Sequence, residues 1–231
     1  MSFETAQRLT EILLALALLQ QSLEHLGGGR SAVRLFAPRI VLCLLMLFGV
    51  QSGWAVAGLA LLGLPILVRF QGPYNGGSDR MGLLILFCLC LTHFAPGQTG
   101  REAAFGYLAV QLVLSYLISG WVKIVNPDWR SGRALRDVFR FSAYPVSENL
   151  RALAGCPRVV LAMSWAVMLF EIAFPASLLN PATLGIGLTV AALFHLANAV
   201  LFGLNRFFWT WLAAYPSILW FQDRFVVPML G

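Results

Sequence analysis

Eight apolar runs divide this 231-residue chain, and they leave it little choice but to fold in a membrane. They lie at roughly 9–26, 38–50, 53–69, 81–95, 104–124, 158–179, 182–204 and 206–222. A helix of about 20 apolar residues crosses the hydrocarbon core of a bilayer. No water is available there to bond backbone N–H and C=O groups, so each run must satisfy its own, as a helix does. The fold class expected is all-α: a polytopic transmembrane helix bundle of about eight helices. One integral membrane domain over 1–231 is the expected organisation. Only 11% of the residues are charged, against about 25% in soluble domains. That shortage excludes an ordinary cytosolic enzyme, a disordered chain and a secreted disulfide scaffold.

The boundaries carry some ambiguity. Runs 2 and 3 are short and meet at Gln51-Ser52-Gly53, so they form two helices or one kinked helix. Run 1 ends in Gln20, Gln21, Glu24 and His25. It either spans or lies in the interface.

Charge supplies an orientation. The formal net charge is +6, and the basic residues are arginines apart from Lys123. With eight spans, the loops at 27–39, 69–80, 124–158 and 203–206 share one side. All 16 basic residues fall there except Arg8, Arg101 and Arg224. The positive-inside rule makes that side cytoplasmic. The basic excess is thus topological, and no nucleic-acid partner is expected. The expected location is a bacterial cytoplasmic (inner) membrane, with membrane lipids as partners.

The longest polar stretch is a loop with a short amphipathic helix at about 124–157. In NPDWRSGRALRDVFRF, Trp129, Leu135, Val138 and Phe139 are expected to dip into the interface while arginines meet anionic headgroups. QGPYNGGSDRM holds Tyr74, Asn75, Gly76, Gly77 and Asp79 and reads as a turn, with an anion-binding reading beside it. Cys43, Cys88 and Cys90 sit inside apolar runs and Cys156 outside them, which is no disulfide framework. No zinc-ligand spacing is present, and no metal is expected.

Ionisable groups at membrane depth are costly and face a partner or a cavity. Glu171 in AVMLFEIAFPASLL and His195 in AALFHLANAVLFGL are mid-run, and Lys123 closes run 5 in YLISGWVKIVNPDW. Each has a structural reading too: Lys123 as an interfacial anchor, His195 as a hydrogen-bonded packing residue, Glu171 as a buried partner to another group. Gln111, Ser115, Ser119 and Lys123 recur every four residues, a polar stripe that either joins helices or lines a cavity. Ser119 and Gly120 are small enough to admit another helix or a ligand. In the aromatic last run, Trp209 and its neighbours form either an interfacial belt or a stacking surface for a flat ring.

Three stretches resemble a known family. YLISGWVKIVNPDWRSGRAL, LFEIAFPASLL and FHLANAVLFGLNRFFWTWLAAYPSILW are similar in content and order to the HTTM, or horizontally transferred transmembrane, domain. That group is related to the membrane part of vitamin K-dependent γ-carboxylases and more distantly to DoxX-like and MauE-like membrane proteins. The resemblance covers about 107–221. In the carboxylases a lysine of the first stretch is the base that deprotonates vitamin K hydroquinone, and Lys123 matches it. The resemblance therefore implies a quinone or quinol near Lys123, with Glu171 and His195 as supporting catalytic groups. Tyr116, Ser119, Trp129 and Trp209 are the cofactor-binding candidates. The chain departs from the carboxylases in having a single lysine here and no large soluble domain.

Two functions follow. The first is a multi-pass accessory or structural subunit that binds lipid or quinone and supports a membrane protein partner or larger assembly. The second is a quinol-dependent membrane enzyme that modifies a partner, with Lys123 as base.

Overall fold

A computed structural model describes residues 1–69, 76–142 and 148–230. Among them the regular structure is helical. The long helices are α1 (Phe3–His25), α2 (Arg30–Phe48), α3 (Ser52–Arg69), α4 (Gly76–Phe94) and α5 (Gly97–Val125). Short helices α6 (Pro127–Arg130), α7 (Arg133–Phe141) and α8 (Glu148–Arg151) follow, then α9 (Pro157–Ala173), α10 (Pro181–Phe202), α11 (Asn205–Phe221) and α12 (Val227–Leu230). This is the expected polytopic helical bundle.

Among the described residues, six segments are long and apolar enough to cross a membrane: α2, α3, α4, α5, α10, and α9 as prolonged by a 3₁₀ turn to Leu179. The protein is an integral membrane protein whose outer helix surfaces contact lipid. The other two expected spans also form helices but do not meet that standard. α11 has only 17 residues, and α1 carries Glu4, Arg8, Glu11 and Glu24.

Runs 2 and 3 are separate helices. α2 stops at Gly49, whose φ of 74° few residues other than glycine tolerate. The Val50 amide returns to the Leu45 carbonyl, and Gln51 also takes a positive φ of 50°. The expected turn at 70–80 is only partly described: Tyr74 and Asn75 lie outside the described residues, while Gly76 and Gly77 begin α4.

Contacts divide the chain into two compact units. Unit 1 comprises Met1–Ala109 and Arg206–Arg224; unit 2 comprises Val110–Asn205 and Phe225–Gly231. In unit 1, α1 packs lengthwise on α2 and also meets α4. Its buried face includes Gln7, Thr10, Glu11, Gln21 and Ser22. Its exposed face shows Leu9, Leu16 and Leu23, one heptad apart. A soluble helix is arranged the other way round. Polar groups inward and leucines outward is the arrangement of a helix in contact with lipid, so α1 is a packed member of its unit. One end of unit 1 is closed by Phe3, Phe105 and Trp220, whose ring centroids are 5.4–5.6 Å apart.

In unit 2, α7 contradicts its expected role. Leu135 and Phe139 are buried in a cluster with Ala154, Val160 and Phe202, and Trp129 and Val138 pack against it. These side chains complete a protein core instead of dipping into lipid. The amphipathic pattern alone could not separate those outcomes, because any apolar surface, lipid or protein, accepts the same face.

Candidate functional site

The site of unit 2 is built on one face of α5. Tyr116, Ser119, Gly120 and Lys123 are spaced by three, four and seven, so they stack on a single stripe. That stripe faces α9 and α10.

Lys123 and Glu171 form its first pair. Lys123 Nζ donates to both carboxylate oxygens of Glu171, at 2.7 and 2.8 Å. The Glu171 residue is 3% exposed. A carboxylate so placed needs a charged partner, and the ammonium supplies it. Lys123 Nζ also lies 5.3 Å from the centroid of the Trp129 ring, within cation–π range. At 3.5 Å it reaches the Ser119 carbonyl.

Local chemistry holds these parts in register. The Asn126 side chain caps α6 by accepting from the Asp128 amide at 2.9 Å. Ser164 Oγ donates to the Trp129 carbonyl at 2.6 Å, and Trp165 Nε1 donates to the Arg130 carbonyl at 3.1 Å. The second half of the pair depends on Gly120. A Cβ there would stand 2.9 Å from Glu171 Cβ and 2.9 Å from the Ile172 backbone nitrogen. Only a residue without Cβ lets α5 approach the α9 backbone this closely, a small-residue contact of the kind helices use in membranes.

Tyr116 and His195 form the second pair. Tyr116 Oη and His195 Nε2 are 2.9 Å apart, and both residues are buried. Phe170 and Phe174 pack on the Tyr116 ring, at 5.8 and 4.2 Å between centroids. Phe194 lies 5.0 Å from the His195 ring. Tyr116 and Lys123 are two turns apart on α5, about 10 Å along its axis. The structure thus joins Lys123 directly to Glu171 and puts His195 in a neighbouring polar pair. An apolar groove runs beside them, lined by Ala166, Val167, Phe170, Val190, Leu193 and Phe194. Two of its wall residues, Phe170 and Phe194, are the rings that cover Tyr116 and His195.

The other expectations divide. Gln111, Ser115 and Ser119 are half-buried, and Ser115 Oγ bonds the Leu112 carbonyl of its own helix at 2.7 Å. The useful stripe is therefore the one through Tyr116, Gly120 and Lys123. Trp209 belongs to unit 1, where it packs edge-on against Phe208. All four cysteines are free thiols.

A family model described as the HTTM domain matches residues 103–223, slightly more than half of the sequence. The chain belongs to the HTTM family. The matched stretch of this HTTM protein contains Tyr116, Gly120, Lys123, Trp129, Glu171 and His195, so both polar pairs lie within the family region. Neither the comparison with curated proteins nor that with solved structures gives a match.

Outside the matched stretch, this HTTM protein holds polar groups that sequence reasoning missed. In unit 1, Glu11 Oε1 is 2.7 Å from His93 Nε2 and 3.1 Å from Gln7 Nε2. Arg8 donates to Glu11 Oε2 at 2.9 Å, to the Met46 carbonyl at 2.7 Å, and to the Leu47 carbonyl. Arg8 therefore neutralises a buried carboxylate and caps the C-terminal end of α2 with one guanidinium. The signal was available: Gln7, Glu11 and Gln21 share a helical face opposite Leu9, Leu16 and Leu23.

Proposed function

We propose that this HTTM protein is a multi-pass accessory subunit that binds a lipid-soluble ligand, lipid or quinone, through unit 2 and supports a membrane protein partner. The observation that carries the reading is the α9–α10 groove. It is apolar along its lining, and behind two of its rings stands one polar pair, Tyr116–His195. That combination suits a ligand with a long apolar body and a single polar end. The arginine-rich end is read as cytoplasmic, in a bacterial inner membrane.

A second reading makes Lys123 the base of a quinol-dependent enzyme that acts on a partner. Its half-buried position beside Trp129 favours this reading. Against it, Lys123 donates to both oxygens of Glu171. As the ammonium that pairs with this carboxylate, Lys123 has no lone pair to offer, so base chemistry first requires the pair to open and a proton to leave. The accessory reading needs no such step.

The test is purification in mild detergent, followed by mass spectrometry of retained proteins, lipids and quinones. A stoichiometric partner, with a retained apolar ligand lost on Phe170→Ala/Phe194→Ala, is the expected result. Lys123→Arg keeps the ion pair and is expected to keep partner and ligand. Loss of a quinol-driven reaction on Lys123→Arg, with binding intact, would establish the enzyme reading instead.

A further inference from the structure

The Lys123–Glu171 pair fixes the relative depth of two helices in unit 2. Lys123 stands just before α5 ends at Val125, whereas Glu171 stands far along α9 from its start at Pro157. The pair sets these positions roughly level, so α9 runs on past the end of α5 by about 18 Å. That extra length is lined on one side by α6 and α7. Ser164 and Trp165 bond the carbonyls of Trp129 and Arg130. A Cβ at Gly132 would stand 3.1 Å from Leu161 Cα.

The outer side of the same half of α9 is apolar. Val159, Leu161 and Trp165 are exposed there, within the length of α9 that is apolar enough to span. Lipid therefore reaches the level at which α6 and α7 lie. Tryptophan is the side chain that concentrates where hydrocarbon meets headgroups. Trp165 thus puts the start of α9, and α7 beside it, at headgroup depth.

α7 presents charge at that depth. Leu135 and Phe139 turn into the protein core. At about 100° per residue, Arg133, Arg136 and Arg140 fall on the opposite side of the helix, within about 60° of one another. Arg130 of α6 and Arg158 in the first turn of α9 are exposed as well. Arg133 is shared loosely between Asp128 and Asp137, at 3.7 and 3.9 Å. Arg130, Arg136, Arg140 and Arg158 make no ion pair among the described residues. Phe141, next to Arg140, is exposed. A guanidinium fork matches two phosphate oxygens, and an anionic leaflet attracts basic groups held at its surface. A bilayer satisfies the arginines and the neighbouring apolar side chains together; an acidic soluble protein satisfies only the arginines.

We propose that the arginine face of α6 and α7, with Arg158 of α9, is a docking surface for anionic phospholipid headgroups. The face shares no side chain with the α9–α10 groove or the Tyr116–His195 pair, so the inference goes beyond the proposed function.

The test places a small fluorophore on Cys156, an exposed free thiol two residues before Arg158, in a Cys90→Ala background. The full chain is reconstituted in phosphatidylcholine with brominated phosphatidylglycerol or brominated phosphatidylcholine as quencher. The expected result is quenching that reports an enrichment of phosphatidylglycerol of about threefold or more at low salt. In about 0.5 M salt, which screens exposed charges, the ratio is expected to fall toward parity. Arg130→Gln/Arg140→Gln/Arg158→Gln removes three exposed charges and leaves the buried face of α7 intact. It is expected to bring the ratio to parity at low salt while unfolding with the parent. Parity in the parent overturns the proposal, as does an enrichment that survives the salt or the triple variant. Parity together with an acidic protein retained through the same three arginines would give the surface to a protein partner instead.

Discussion

Gly120→Ala tests whether the Lys123–Glu171 pair depends on backbone contact between α5 and α9. The new Cβ would stand 2.8 Å from Ile172 Cγ1, 2.9 Å from Glu171 Cβ and 2.9 Å from Ile172 N. Ordinary contact begins near 3.4 Å, so the helices must separate by about 0.5 Å. The Ile172 side chain can turn aside; the backbone nitrogen moves only with its helix. Overpacking of this kind costs about 1–3 kcal/mol, whereas alanine recovers about 1 kcal/mol of helix propensity over glycine. The clash prevails, with a net loss of up to about 2 kcal/mol. Gly185 in α10 is the control, because a Cβ there meets nothing within 4 Å. Gly185→Ala retains only the propensity gain, up to about 1 kcal/mol. Both variants are measured by detergent-induced unfolding in mixed micelles, followed by tryptophan fluorescence. A Gly120→Ala protein that gains stability as Gly185→Ala does would refute the close approach and the stated origin of the ion pair.

Four further outcomes are expected. In the same unfolding assay, Lys123→Met loses about 3–5 kcal/mol, since it strands the buried Glu171, and Glu171→Gln loses less, since the Lys123 it leaves is only half-buried. The double variant loses clearly less than their sum, and strict additivity would mean the two groups are not paired. Tyr116→Phe removes the bond to His195 and lowers stability by about 1–3 kcal/mol, and a change below experimental error would sink the pairing. Arg8→Gln leaves Glu11 without its guanidinium and uncaps the end of α2, a loss of about 1–3 kcal/mol by the same titration. Arg133→Ala is expected to unfold with the parent: its contacts to Asp128 and Asp137 are 3.7 and 3.9 Å and its side chain is 70% exposed. A marked loss there would show that α7 holds its unit through charge as well as through Leu135 and Phe139.

Much of the site was legible residue by residue. Lys123, Glu171 and His195 stood out because charge and imidazole are rare inside apolar runs. The partnerships were not legible, since 48 positions separate Lys123 from Glu171 and 79 separate Tyr116 from His195. Trp209 was grouped with the site for its ring alone, but its unit is the other one. In run 1, Gln20, Gln21, Glu24 and His25 pointed toward an interfacial helix. The spacing of Gln7, Glu11 and Gln21 was the better guide, because in lipid the polar face is the buried one.

The sequence by itself determined the helices and their apolar lengths, and left open whether runs 2 and 3 are one helix or two. The helices follow from the requirement that a backbone in hydrocarbon bond itself locally. Tertiary structure alone decided which polar groups meet. Whether Leu135 and Phe139 face lipid or protein and whether Gly120 admits α9 both depend on packing between distant helices. A bilayer is as apolar as a protein core, so hydrophobicity cannot choose between those outcomes; steric fit and the pairing of buried charges do.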